Sequence, residues 1–162
     1  MKKIFKTFEA EMRQIAEPEK DCWISLVKPT EKELAEVAEQ YCIEPDDLRA
    51  ALDEEERSRT EIEDNALLII TNIPIMRNND SYDTLPLGII LTPEYIITVC
   101  LESNDVLSEF NPANCRFFST FKKTRFLFQI LYKSMFWCGH IRHHSSYFFS
   151  AIFFYKFFFI II

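Results

Sequence analysis

Residues Glu44–Ile75 place a helix start, a charged connector and an apolar run next to one another, which strongly restricts the fold. Pro45 suits the first turn of a helix, because its missing N–H needs no partner there and its φ is already helical. The next two carboxylates, Asp46 and Asp47, interact favourably with the positive end of the helix dipole. A short apolar stripe at helical spacing follows, formed by Leu48, Ala51 and Leu52. We therefore predict a short helix that begins at Pro45.

The apolar run Ala66–Ile70 predicts a buried strand. A compact run of aliphatic residues is typical of central strands, which are covered on both faces. Pro74 has no backbone donor and is expected to close this strand. The acidic run Asp53–Glu56 is interpreted as part of the connector between helix and strand. The whole segment therefore predicts helix, charged connector and buried strand.

Local patterns before this segment predict three strands and a helix. Ile4–Glu17 favours a β-hairpin, with a short helix as the alternative, and Cys22–Val27 favours a strand. Thr30 and Glu33 match a capping box at the start of a helix. The helix then carries an apolar stripe typical of a core-facing surface: Leu34, Val37, Ala38 and Tyr41.

After the segment, a polar turn at Arg77–Tyr82 precedes a predicted hairpin of two apolar runs, Leu85–Leu91 and Tyr95–Leu101. A loop at Asn111–Asn114 separates two further helices, predicted at Asn104–Phe110 and Phe121–Tyr132. The apolar side of the last helix is expected to hold Phe121, Phe128 and Leu131. Its polar side is expected to hold Lys122, Lys123 and Arg125. The order β-β-β-α-α-β-β-β-α-α indicates an α/β fold, with a mixed β-sheet covered by helices.

The charges divide the chain into two chemically different parts. Residues 1–110 contain 11 Lys and Arg and all 25 Asp and Glu, a net charge of −14, whereas residues 111–162 contain seven basic residues and no acid. Fourteen of the 16 Phe also lie from Phe110 onward. An acidic first part disfavours nucleic-acid binding, which needs a basic face. It is compatible with cation binding, although a solvated acidic surface is the commoner meaning.

The sequence contains no recognisable catalytic constellation. Gly88 and Gly139 are the two glycines, so the Gly-rich phosphate loops of nucleotide-binding proteins are excluded, and no GxSxG motif occurs. We predict no catalytic and no cofactor-binding residue. No CxxC pair and no secretory signal occurs, so the cysteines are expected to be buried, reduced thiols in the cytosol. They are Cys22, Cys42, Cys100, Cys115 and Cys138.

Three stretches together resemble one protein family. They are Glu44–Ile75, TLPLGIILTPEYIITVCLES (Thr84–Ser103) and FSTFKKTRFLFQILYK (Phe118–Lys133). The chain resembles the cytosolic N-terminal domain of CorA-family magnesium transporters from residue 1 to about residue 133. The resemblance implies Mg²⁺ as the transported and regulatory ion, with no tightly bound cofactor. It also implies a homopentamer at the cell membrane for intact members, with this domain on the cytoplasmic side.

Two departures from the family pattern affect the expected function. The helix of the family that matches Pro45–Leu52 carries an acidic pair for a regulatory cation between subunits, and the matching positions here are Arg49 and Ala50. The Gly-Met-Asn pore signature and the long stalk helix of the family do not occur. We therefore expect a truncated regulatory domain that does not transport ions alone. The alternative is a stand-alone cytosolic cation-binding or regulatory domain that associates with intact transporter subunits.

Residues 134–162 form an aromatic, hydrophobic tail that does not match the family. One interpretation is translation out of frame, because Phe, Ile, Tyr and Lys all have codons made of A and T alone. A second is a membrane segment at Tyr147–Ile162. Its 16 residues would span only ~24 Å as a helix, less than the ~30 Å hydrocarbon core.

Two groups of residues contain side chains of the types that bind metal ions, and neither is predicted to form a site. The tail supplies ligand types at a spacing that matches no usual zinc pattern: Cys138, His140, His143 and His144. The run Asp53–Glu56 has the carboxylate oxygens that Mg²⁺ and Ca²⁺ prefer. Neighbouring residues on one element rarely converge on a single ion, so a solvated connector is favoured.

Overall fold

A mixed β-sheet with helices on both faces forms the centre of the structure. The computed structural model describes residues 1–9, 11–63, 66–78 and 81–141. Its strands are β1 Lys2–Phe8, β2 Glu11–Ile15, β3 Trp23–Val27, β4 Arg59–Glu63, β5 Ala66–Asn78, β6 Ser81–Leu91 and β7 Ile96–Cys100. Its helices are α1 Glu31–Tyr41, α2 Pro45–Ala50, α3 Asp105–Ser108, α4 Lys123–Ile141 and a 3₁₀ helix at Pro112–Phe117. These elements confirm the predicted α/β fold.

The sheet consists of two antiparallel halves that meet along one parallel pair of strands. Within the described residues, the strand order is β2-β1-β3-β7-β6-β5-β4. β1, β2 and β3 form one half, and β4 to β7 form the other. The parallel pair joins β3 to β7, with Trp23 opposite Ile96 and Val27 opposite Cys100.

Alternating side chains of the inner strands divide the core between the two faces of the sheet. Ile70 and Ile97 belong to the cluster beneath α1 and α2. Their neighbours Ile69 and Ile96 belong to the cluster beneath α3 and α4. Each of these four isoleucines is completely buried. Helices on both faces therefore explain why the sequences of these strands are continuously apolar and do not alternate between apolar and polar residues.

The predicted charged connector contains an edge strand that its sequence pattern does not indicate. β4, Arg59–Glu63, pairs antiparallel with β5. It has one large apolar residue, Ile62, and that side chain is 72% exposed. Charged residues on an edge strand prevent unwanted pairing with other chains, and they also remove the hydrophobic alternation by which a strand is recognised.

The prediction that Pro74 closes a central strand was wrong. β5 continues to Asn78, and Pro74 lies opposite Thr84 in β6. β5 is also the second strand from the edge, because β4 alone covers its outer side. β4 pairs only with residues 66–70, so the far half of β5 has an open side that tolerates a proline. Much of the turn predicted at Arg77–Tyr82 accordingly belongs to β5 and β6.

The last helix packs a different side against the sheet from the one that its sequence pattern predicts. Phe121 and Phe128 are 47% and 46% exposed, although Leu131 is buried as expected. The buried side of α4 holds Phe126, Leu127, Ile130 and Leu131. In a segment this rich in phenylalanine several helical faces are apolar, and contacts with the sheet decide which one is buried. The backbone of α4 also continues to Ile141, past the expected end at Tyr132.

The other predictions for local structure were mostly confirmed. The segment Ile4–Glu17 forms the β1–β2 hairpin and not a helix. β6 and β7 form the second predicted hairpin, and α3 begins after Asn104, whose side chain accepts a hydrogen bond from the backbone of Leu107. The loop predicted at Asn111–Asn114 instead enters the 3₁₀ helix at Pro112.

Candidate functional site

The capping box at the start of α1 was predicted correctly and fixes the first helix against the sheet. The Thr30 hydroxyl accepts a hydrogen bond from the Glu33 backbone (3.2 Å), and the Glu33 carboxylate accepts one from the Thr30 backbone (2.9 Å). The backbone N–H of Lys2 also donates to Glu33 (2.9 Å). The bond from Thr30 is the main cause of a lowered pKa for Glu33. Helix α1 is therefore tied to β1 through one carboxylate.

Helix α2 lies directly on the sheet because Gly88 of β6 has no side chain. Pro45 occupies the first turn of α2, and Leu48 and Ala51 are completely buried. A Cβ atom added at Gly88 would lie 2.6 Å from the Cβ of Ala51, which is closer than real Cβ contacts come. The only sequence signal for this contact is a glycine inside an apolar strand, which often marks close backbone approach.

Arg49 forms ion pairs that join α2 to α1. Its Nη2 lies 3.2 Å from the Glu31 carboxylate on α1, and its Nη1 lies 3.2 Å from Asp46 within α2. The hydrogen bond to Glu31 is the main cause of a raised pKa for Arg49. Ala50 packs against the apolar cluster beneath the two helices. At the positions where the family resemblance places an acidic pair, the structure thus has a fixed cation and a small apolar side chain.

The acidic run Asp53–Glu56 does not converge on a common point. The Asp53 carboxylate accepts a hydrogen bond from the backbone of Glu55 (3.0 Å). Glu56 lies 2.6 Å from Arg59, which also pairs with Glu61 (2.7 Å). In the part of the chain that the structure describes, no group of three or more acidic, cysteine or histidine side chains is arranged to hold a metal ion.

The other candidate ligands lie in the tail. His143 and His144 lie outside the described residues, and the side chains of Cys138 and His140 are not described. The structure therefore does not test that group.

The described cysteines are not all buried as predicted. Cys22 and Cys100 are buried, and burial raises the pKa of both thiols, to about 12 for Cys100. Cys42 is exposed and ends α1 in the left-handed conformation with φ 54°. The two buried thiols belong to the core and remain protonated at neutral pH.

One pocket lies at the edge of the sheet where β5 and β7 end. It has a volume of about 340 Å³ and is lined by Ile75, Met76, Arg77, Glu102, Ser103, Asn104 and Asp105. Arg77 pairs with Glu102 (2.7 Å) and with Asp83 (3.6 Å), so its guanidinium is already neutralised. No local sequence pattern indicates that these residues meet, because they come from β5 and from the segment that follows β7.

No helix among the described residues is both long enough and apolar enough to cross a membrane.

Comparison with known proteins gives a consistent result for sequence and fold. The family model described as CorA-like Mg²⁺ transporter protein matches residues 19–136. No curated protein sequence matches the chain significantly. Among solved structures, the complete CorA magnesium transporter from Methanocaldococcus jannaschii matches 87% of this chain, with a TM-score of 0.70 and 20% identity. The match covers 46% of that transporter, so the chain spans about half of its length.

Two solved soluble domains are similar as well. The soluble domain of the same CorA protein matches with a TM-score of 0.69 and 22% identity, over 85% of this chain and 58% of that one. The cytoplasmic domain of ZntB from Vibrio parahaemolyticus matches with a TM-score of 0.65 and 14% identity, over 81% of this chain and 56% of that one. At these identities the structural likeness shows a shared fold.

Proposed function

Since the chain belongs to the family of CorA-like Mg²⁺ transporter proteins, we propose that residues 1–133 form the cytosolic regulatory domain of a divalent-cation transporter. The observation that carries this proposal is the family match over residues 19–136, which covers helices α1 and α2 and five of the seven described strands. In this role the domain couples the internal cation level to pore opening through its packing against neighbouring domains. It would act on the cytoplasmic side of the membrane, within a homopentamer.

The α1–α2 surface of this domain does not take up a regulatory cation in the way the family resemblance implies. The guanidinium of Arg49 lies between the carboxylates of Glu31 and Asp46, at 3.2 Å from each. A permanent positive charge there supplies locally what a bound ion would supply, and it repels a second cation. We expect any cation response of the domain to depend on other surfaces.

The proposal that Arg49 excludes a cation can be tested by melting the protein at increasing Mg²⁺ concentration and matched ionic strength. The melting temperature of the wild-type chain should stay constant, whereas a ligand that binds the folded state would raise it. The variant Arg49→Glu should melt lower without Mg²⁺, because it places a third carboxylate beside Glu31 and Asp46. Its melting temperature should rise again as Mg²⁺ is added.

Lys32→Glu is the matched control, because Lys32 is also an exposed cation on α1, with 86% of its side chain accessible. This variant changes the net charge equally but adds no carboxylate between α1 and α2. A wild-type melting temperature that rises with Mg²⁺ as steeply as that of Arg49→Glu would contradict the exclusion of a cation from the α1–α2 surface and would favour a stand-alone cation-binding domain. Equal Mg²⁺ responses of Arg49→Glu and Lys32→Glu would contradict the role assigned to Arg49.

The regulatory role itself can be tested in a chimera. The matching domain of the Methanocaldococcus jannaschii CorA protein would be replaced by residues 1–136 of this chain, and Mg²⁺ uptake would be measured against internal Mg²⁺. We expect an assembled chimera that conducts but closes less at high internal Mg²⁺ than its parent. The variant Arg49→Asp should restore part of that closure. A regulatory role would be refuted by an assembled chimera whose Mg²⁺ uptake depends on internal Mg²⁺ as the parent's does, both with and without Arg49→Asp.

We also propose that the regulatory domain ends near residue 133 and that residues 134–162 do not belong to it. The family match that ends at residue 136 supports this boundary. An out-of-frame origin of the tail predicts that another reading frame of the gene resumes a charged helix after Tyr132 and later encodes Gly-Met-Asn. Resequencing from codon 120 onward checks this prediction. If no other frame encodes these features, an out-of-frame origin of the tail is excluded.

A further inference from the structure

The start of helix α4 is joined to two turns of the sheet through one lysine. The Nζ of Lys123, the first residue of α4, lies 2.8 Å from a carboxylate oxygen of Asp21. It also donates a hydrogen bond to the carbonyl oxygen of Pro93. Asp21 lies in the turn before β3, and Pro93 lies in the turn between β6 and β7. We call these three residues the α4 clamp, which is partly buried, since 17% of the Lys123 side chain and 30% of the Asp21 side chain are accessible.

The two turns that contribute to the α4 clamp are also bonded to each other and ordered internally. The backbone N–H of Asp21 donates to the Glu94 carbonyl (2.7 Å). The Thr92 hydroxyl accepts hydrogen bonds from the backbone N–H groups of Glu94 (3.3 Å) and Tyr95 (2.9 Å). Asp21 has a φ of 64°, in the left-handed region that Asp adopts more readily than most residues. The oxygen atoms that bind Lys123 are therefore held in place by contacts that do not involve α4.

The residues that lead into α4 are anchored separately. The backbone N–H of Thr120 donates to the Thr7 hydroxyl (3.1 Å), and the backbone N–H of Thr7 donates to the Thr120 hydroxyl (3.0 Å). Both threonines are buried. This pair fixes the chain to β1 just before the helix, so the α4 clamp acts on the first turn of α4 itself.

The first turn of α4 carries an unfavourable charge for the start of a helix. It contains Lys123 and Arg125 and no acidic residue. The N-terminal end of a helix dipole is positive, so a carboxylate stabilises it and a cation does not. Asp21 supplies a carboxylate from a distant part of the chain, 102 residues away, and pairs with one of the two cations. The first turn of α4 is therefore stabilised by the α4 clamp and not by its own sequence.

We propose that the α4 clamp is a conformational device that controls whether the first turn of α4 moves together with the sheet. While the clamp is closed, a displacement of the turns before β3 and β7 is transmitted to α4. When it opens, the first turn frays, and the buried apolar side of the helix alone holds α4. This inference rests on the proposed function, in which the domain acts through its packing against neighbouring domains, because α4 is the last element that the family match reaches. Lys123 and Asp21 are positioning residues in this role.

Hydrogen exchange of the full chain tests the α4 clamp, because it measures the opening of single helical turns. The amide of Phe126 donates to the Lys122 carbonyl (2.9 Å) and so closes the first turn of α4. Lys123→Met removes the charge and keeps an apolar stem, and Asp21→Asn removes the carboxylate at a residue type that also adopts the left-handed conformation. In each variant this amide should exchange roughly five- to tenfold faster, while the amides of α1 keep their rates. The double variant should exchange no faster than either single variant, because both substitutions break the same contact.

Lys122→Met is the matched control, because Lys122 is the neighbouring cation and its Nζ lies 5.8 Å from the centroid of the Phe121 ring. The helix dipole alone predicts that removing either lysine slows exchange at the start of α4. The α4 clamp predicts the opposite sign for Lys123→Met and no acceleration for Lys122→Met.

Three results would overturn the proposal. They are equal effects of the two lysine substitutions, unchanged exchange of the Phe126 amide in Asp21→Asn, and an acceleration that extends equally through α1, which would indicate general destabilisation. Exchange is measured on the chain alone. A chimera that fails to regulate Mg²⁺ uptake would therefore contradict the proposed function without contradicting the α4 clamp.

Discussion

The contact between Gly88 and Ala51 leads to a stability prediction for Gly88→Ala. The backbone of Gly88 has no positive φ, so an alanine suits its conformation and would ordinarily stabilise by about 0.4–1 kcal/mol through the unfolded state. The added methyl group, however, would lie 2.6 Å from the Cβ of Ala51. A Cβ atom is fixed to its backbone, so α2 itself would have to move away from β6.

The magnitude follows from the cost of inserting a methyl group into a packed core. Overpacking of this kind costs about 1–3 kcal/mol. Subtracting the gain in the unfolded state from the middle of this range, about 2 kcal/mol, leaves a net destabilisation of about 1–2 kcal/mol. For a chain of this size that lowers the melting temperature by about 2–8 °C.

A double-mutant cycle tests whether the contact is the cause. Ala51→Gly alone should destabilise by about 1 kcal/mol, since it removes a buried methyl group and weakens the end of α2. In the double variant Ala51→Gly/Gly88→Ala, the new methyl group replaces the lost one, so the two effects should not add. Urea unfolding followed by circular dichroism would measure all four proteins. Strict additivity, or a Gly88→Ala variant as stable as the wild type, would refute the reasoning.

Two further changes probe other parts of the fold. Thr98→Val should destabilise by about 1–3 kcal/mol, because it leaves the buried indole N–H of Trp23, which donates to the Thr98 hydroxyl at 2.9 Å, without a partner; an unchanged urea midpoint would count against this. The lowered pKa of Glu33 means that its carboxylate stabilises the fold above the ordinary pKa of 4.5, and that this contribution is lost as the pH falls through the lower folded value. Glu33→Gln should therefore lose less stability than the wild type below pH 4.5, and parallel acid-unfolding curves would contradict the assignment.

Patterns within single elements were enough to predict much of this fold. The capping box at Thr30 and Glu33, and the proline that opens α2, depend on residues three or four positions apart and appear in the structure as expected. The stripe that ends at Tyr41 is likewise buried. Such features are local, so the sequence alone contains the information that determines them.

Features that depend on distant residues could not be predicted in the same way. The ion pair between Arg49 and Glu31 joins two helices, and the contact of Gly88 with Ala51 joins a strand to a helix. The buried side of α4 was misassigned for a similar reason. An aromatic cluster that includes Trp23 selects Phe126, with ring centroids 5.2 Å apart, and no local pattern distinguishes Phe126 from Phe128.

The parallel pairing of β3 with β7 has a consequence for synthesis of the chain. Trp23 pairs opposite Ile96, so β3 emerges from the ribosome 73 residues before its neighbour. At roughly 5–20 residues per second, its open edge waits about 4–15 s for β7. Apolar strand edges left open in this way recruit other chains. Slow translation between the emergence of β3 and that of β7 should therefore increase aggregation of nascent chains, whereas slowing after β7 has emerged should not.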